Sequence, residues 1–265
     1  MIGQDKIIEK FNTYTFDTLP HSNIIVGEFG SGRHTAIGLL ANRMGMNVVN
    51  LDGLIKLDII NDIQSLSIPT IYVIDGNGIT QREEGVLLKF LEEPSSFAYI
   101  FVTCTNSRLL LDTIVNRCQV FTMQPYTMES LRAFSDSIGK KLDDRVLSIC
   151  NTPGKILAWC DMKINDIIEL CEKMLSSVRR ANFSNVLSIS DKINFSKESV
   201  EGKFDKSLFL SCLIYQANKM FIDKEIDRNT YCITSKFVTD TSVQNIDIQK
   251  LFESYLCDLK MTGNR

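Results

Sequence analysis

Gly27-Glu28-Phe29-Gly30-Ser31-Gly32-Arg33-His34-Thr35 is the stretch on which the reading of this chain turns. It follows the apolar run Asn23-Ile24-Ile25-Val26 and leads into Ala36-Ile37-Gly38-Leu39-Leu40-Ala41, so it joins a strand to a helix. Strand, glycine-rich turn and helix N-terminus together make a phosphate cradle, because backbone N–H groups and the helix dipole then converge on an anion. Gly27 and Gly32 have the spacing of that motif, with Gly30 between them. Two chemical positions depart from it: the lysine is Arg33, and the Mg²⁺-binding hydroxyl is His34.

Arg33 keeps a positive charge, but its planar fork does not replace the point charge of a lysine. His34 offers an imidazole nitrogen to a hard cation that prefers oxygen. Thr35 stands one helical step further on and is expected to face elsewhere. The loop then has three readings: ATP hydrolysis, passive binding of phosphate or nucleotide, and a turn kept for its shape alone. The substitutions weigh for the last. No metal or cofactor is expected, passive phosphate or nucleotide binding being the stated exception.

Outward from the loop, 265 residues with 44% hydrophobic and 23% charged content suit a globular protein of two or three domains. Eight scattered cysteines form no C-x-x-C pair, so no structural zinc site is expected and the thiols read as small buried hydrophobes. Met1-Ile2-Gly3-Gln4-Asp5-Lys6 has no basic segment followed by an apolar core, and Leu208 to Tyr215 is too short to span a bilayer. A cytoplasmic protein without membrane contact is expected. A net charge of −3 excludes a nucleic-acid footprint over the whole surface. The only adjacent arginine pair is Arg179-Arg180, so any nucleic-acid contact is expected to be local or shared with partners.

Strands are expected at 23–26, 47–51, 70–74, 99–103 and 120–123, alternating with helices near 35–44, 53–66, 80–93 and 107–116. This alternation predicts an α/β fold with a five-stranded parallel sheet and helices on both faces. Thr80 and Glu83 have capping-box spacing, and Pro94 stops the helix they open. After Pro125 only helices are expected, at 127–138, 143–150, 153–160, 163–178, 204–224, 228–238 and 246–260. Three domains follow: 1–124 around the loop, a small helical domain at 125–180, and a C-terminal helical domain at 181–265. The apolar positions beyond Phe204 exceed what a short bundle readily buries, which predicts an assembly surface there.

Several segments together resemble the clamp-loader branch of the AAA+ ATPases. They are Ile2-Gly3-Gln4, the loop itself, Ile71-Tyr72-Val73-Ile74-Asp75-Gly76, Leu87-Leu88-Lys89-Phe90-Leu91-Glu92-Glu93-Pro94 and Thr113-Ile114-Val115-Asn116-Arg117-Cys118-Gln119. Within that branch the chain is most similar to the delta-prime family of bacterial DNA polymerase III clamp loaders. Residues 36–70 lack the cysteines of the zinc module that many relatives carry there.

The resemblance implies a degenerate AAA+ domain, a lid and a collar, in a non-catalytic subunit that assembles with ATPase subunits. Asp75 falls in the second nucleotide motif, where Gly76 replaces its second acid. Thr105 falls at a sensor position, or is an ordinary strand-end threonine. Lys155 falls where a lid supplies a second sensor, although a solvated lysine is the favoured reading. Arg117 is the residue implied to act catalytically, as a finger on a neighbouring subunit's ATP; its bland alternative is a charge stabilising its own helix end. Implied partners are the other clamp-loader subunits and, through the complex, the sliding clamp and primed DNA. The rivals are an ATP-hydrolysing subunit with an altered loop, and an AAA+-derived adaptor of another complex.

Overall fold

The computed structural model describes residues 1–51, 68–77, 79–92, 94–178, 193, 205–241 and 247–262. In chain order the first elements are α1 (Asp5–Thr13), β1 (Ser22–Val26), α2 (Arg33–Met44), β2 (Asn47–Asn50), β3 (Thr70–Asp75), α3 (Gln81–Glu92) and β4 (Ala98–Cys104). A 3₁₀ turn (Ser107–Leu109), α4 (Asp112–Val115) and β5 (Gln119–Thr122) follow. The remainder is helical: α5 (Met128–Ser137), α6 (Asp144–Cys150), α7 (Pro153–Trp159), α8 (Ile164–Ser177), α9 (Lys206–Ile222), α10 (Arg228–Asp240) and α11 (Ile248–Thr262). The helix expected at 53–66 and the Arg179-Arg180 pair lie outside the described residues.

All five expected strands form, in the order β2-β3-β4-β1-β5, and every pairing is parallel. Central β4 is buried along its whole length, as a strand covered on both faces must be. Alternation divides the strands between two cores. Ile25, Val73 and Phe101 pack with Phe11 of α1 and with Ile37 and Leu40 of α2. Ile24, Ile74 and Val102 pack on the other face with Leu87 and Phe90 of α3.

Two local departures have physical causes. The segment expected as one helix at 107–116 is broken at Leu110 and Leu111, which are extended. Asn106 caps the short 3₁₀ turn by accepting from the Arg108 N–H (3.0 Å), and the extended step buries Leu110 in the second core. Helix α1 was not expected. Its Ile7 and Phe11 are buried, and Gln4 ahead of it is fully buried, exchanging two hydrogen bonds with the backbone of Gln124 (2.7 and 2.9 Å). By contrast, the capping box at Thr80 and Glu83 forms as the spacing predicts.

Packing groups the chain into two units, Met1–Leu142 with Asn151–Ala158, and Asp143–Cys150 with Trp159–Arg265. This cut differs from the 1–124, 125–180 and 181–265 division, since α5 and most of α7 group with the sheet. In the second unit Phe209, Phe252, Phe237 and Tyr255 form an aromatic core, and Asp205 both caps α9 and accepts from the Trp159 indole (3.0 Å). Most C-terminal apolar positions are spent on this core. The large exposed ones among its described residues are Phe221, Ile222 and Met261, a smaller surplus than the sequence suggested.

The cysteines are free thiols; four are buried, while Cys232 is exposed, contrary to the expectation of burial. Burial pushes Cys104 up to about 11 and Cys118 and Cys212 up to about 12, which keeps them unreactive at neutral pH. Among the described residues, no helix is long and apolar enough to cross a membrane.

Candidate functional site

The loop leaves the C-terminal end of β1, the side of an open parallel sheet on which ligands are held. Gly30 (φ +74°) and Gly32 (φ +89°) are left-handed, which explains glycine at both. At Gly27 a Cβ would come within 2.6 Å of Met123 and Ser31, so the loop can turn under that strand end only without a side chain. Helix α2 begins at Arg33 with no side-chain cap, and its first-turn residues Arg33, His34 and Thr35 line the cavity beside them.

The chain's own later residues bind the loop. The Thr152 hydroxyl donates to the Phe29 carbonyl (2.9 Å), the Gly154 N–H to that of Gly30 (2.9 Å), and the Tyr126 hydroxyl to that of Ser31 (2.8 Å). The two backbones at Gly30 and Gly154 touch, and a Cβ on Gly154 would lie 2.4 Å from Gly30 Cα. Lys155, favoured as solvated, is instead largely covered. Its ammonium donates to Asn151 (2.8 Å) and to Glu28 in the loop (3.3 Å).

Beside the loop, β3 ends in Asp75, whose carboxylate accepts from the backbone and side-chain N–H groups of Asn77 (3.0 and 2.6 Å). Asn77 in turn accepts from the backbone and hydroxyl of Thr105 (2.8 and 2.9 Å), fastening the ends of β3 and β4 together. A Cβ on Gly76 would meet Leu110 and Val102 at 2.9 Å, so the space for a second acid is occupied by apolar side chains. Burial lowers the pKa of the Arg33 guanidinium, and Asp75 and then Cys104 oppose that shift; an arginine stays charged throughout.

Gly30, Gly32, Arg33, His34, Thr35, Asp75 and Thr105 line one cavity of about 710 Å³, a volume typical of small-molecule sites. Thr35, expected to face away, is part of the lining. Arg33 Nη1 and Thr103 Oγ1 are buried there without a hydrogen-bond partner among the described residues. Those groups and the α2 N-terminus fit an anion. The donor set does not fit Mg²⁺ chemistry, since His34 replaces the hydroxyl and Asp75 is engaged by Asn77.

Arg117 stands at the opposite end of the sheet. Asn23 pairs with Gln119, so residue 117 precedes β5 on the side where the parallel strands begin. The side chain is 40% exposed; Nη1 donates to the Thr113 carbonyl (3.0 Å) and Nη2 to Glu92 Oε1 (2.8 Å). Sequence reasoning missed Asn77, the loop-binding group at 126 and 151–154, and Glu92 as a partner of Arg117. Of these only Glu92 carried a signal, through its place in the Leu-Glu-Glu-Pro run.

Residues 69–127 match the family described as DNA polymerase III, delta subunit, a span containing both the 87–94 and 113–119 segments. The chain is 28% identical over 196 residues to the DNA polymerase III subunit delta' of Bacillus subtilis, covering 60% of this chain and 56% of that relative's length. Among solved structures, the Holliday junction branch migration motor RuvB of Thermotoga maritima superposes with a TM-score of 0.51 at 14% identity, over 96% of this chain and 82% of that one. A DNA polymerase III gamma subunit-related protein of Thermotoga maritima covers 98% of this chain and 99% of its own, with a TM-score of 0.48 at 13% identity. The fold is the α/β P-loop fold of AAA+ proteins, followed by helical parts.

Proposed function

We propose that this chain is a non-catalytic clamp-loader subunit of a bacterial replicative polymerase, assembling with ATPase subunits and presenting Arg117 to a neighbour's ATP. The observation that carries the reading is the half-exposed Arg117 guanidinium, on a segment inside the family match and away from the chain's own cavity. A guanidinium placed where phosphate charge develops acts by electrostatic stabilisation of the transition state. The absence of turnover by the chain itself is supported by Arg33, His34 and the crowded Gly76. The test is the DNA- and clamp-stimulated ATPase of reconstituted complexes matched for subunit content. Arg117→Ala is expected to slow the served site by roughly 10³-fold while assembly persists. Equal rates would reduce Arg117 to a helix-end charge.

The cavity supports a second, compatible reading: passive binding of a nucleotide without hydrolysis. Its volume and the partnerless Arg33 Nη1 and Thr103 Oγ1 favour this. Titration calorimetry of the chain with ADP, with and without Mg²⁺, tests it. Binding is expected to be Mg²⁺-independent and weakened by Arg33→Ala; no heat in either case would leave the loop as a turn.

A further inference from the structure

We propose that Glu92 is the positioning residue of Arg117, an inference that rests on the finger reading of that arginine. Glu92 is the last residue of α3, where the negative end of the helix dipole disfavours a carboxylate. It gains nothing from its own helix. What it meets there is Arg117, 25 residues on, in the turn between α4 and β5, at 2.8 Å. With Nη2 on Glu92 and Nη1 on the Thr113 carbonyl, both terminal nitrogens of the guanidinium are pinned by different elements, which fixes the plane of the fork.

An exposed ion pair of this kind adds little to folding, so its effect lies in geometry. A guanidinium has five N–H donors; one on each terminal nitrogen is committed here, and the rest remain for an incoming phosphate. Pinning the fork beforehand removes the need to order a long side chain as the reaction proceeds, which is the role of preorganised charge in catalysis. The pair joins the 87–94 and 113–119 segments: one presents the guanidinium and the other aims it.

The experiment compares complexes reconstituted with the unaltered chain, Glu92→Gln, Arg117→Ala and the double variant, each checked for folding by circular dichroism and for subunit content. Glu92→Gln keeps the shape and removes the charge. It is expected to lower stimulated kcat roughly tenfold with KM for ATP unchanged, because the contact it supports is made in the transition state. The double variant is expected to be no slower than Arg117→Ala. If Arg117→Ala is slow and Glu92→Gln is as fast as the unaltered complex, or faster, the positioning role is overturned and the finger stands. If the double variant falls by the product of the single effects, Glu92 acts elsewhere and the proposal fails. If Arg117→Ala itself is fast, the finger reading fails and this inference falls with it.

Discussion

At the C-terminal end of the sheet, the carbonyls of Phe29, Gly30 and Ser31 receive hydrogen bonds from Thr152, Gly154 and Tyr126. At the other end, Arg117 rests on one carbonyl and one carboxylate with donors to spare. The first region resembles an ATP site in outline, yet its loop is held by the chain itself; the second lies away from that cavity, yet it keeps a half-exposed cation. A loop whose contact with the start of α7 is made by backbone and by Lys155 does not need a nucleotide to bring the two together. A cation kept half in water is available to something outside the chain. The loss of hydrolysis proposed for one end is compatible with the finger role proposed for the other.

The largest effect expected from this contrast is at Arg117. Arg117→Lys keeps the charge without the fork, and stimulated ATPase of the complex is expected to stay roughly tenfold or more below the unaltered rate. Full rescue by lysine would show that charge alone matters there. At the loop end, Gly154→Ala places a methyl against Gly30 backbone and is expected to cost about 3 kcal/mol, measured by urea unfolding. No loss of stability would mean that loop and helix part easily, and the contrast between the two ends would weaken.

Gly76→Glu restores the acid of the second nucleotide motif on paper. In the fold its Cβ meets Leu110 and Val102, so the expected outcome is about 2 kcal/mol of destabilisation by thermal melting and no phosphate release. Recovery of turnover would break the claim that this end is closed to chemistry. The smallest effect is at the start of α3, the helix that carries Glu92. Thr80→Ala is expected to cost about 1 kcal/mol at neutral pH. Hydrogen bonds from the Thr80 hydroxyl and then its backbone hold Glu83 below its ordinary 4.5. That stabilisation is fully present above the unfolded value and is lost as pH falls through the lowered folded one. Melting curves of the two proteins should therefore draw closer in acid, while the bond from the Glu83 N–H to the Thr80 hydroxyl keeps them apart by a remainder.

The strands and most helices were legible because burial imposes local periods: β4 reads Ala-Tyr-Ile-Phe-Val-Thr-Cys without a break, and Val86, Leu87, Phe90 and Leu91 mark the face of α3. The broken segment at 107–116 was not, since its apolar residues mimic a helix while Asn106 and the burial of Leu110 decide otherwise. At the candidate site, residue types were readable and partners were not. Lys155 looked solvated because Glu28, its counterion, lies 127 residues away, and no local pattern announces a pairing of that range.

The backbone contact between Gly30 and Gly154 has a consequence for how such a chain can drift. Neither position tolerates a side chain while the other element stays in place, so the two glycines are coupled, though unequally. A lineage that gains a side chain at 30 must separate loop from helix, and that separation removes the crowding that holds glycine at 154. Separation does not free position 30 in the same way, because its left-handed backbone is a second reason for glycine. Among descendants of this sequence, glycine at 154 should vanish with glycine at 30 or before it. Related sequences with a side chain at 30 and glycine held at 154 would break that order.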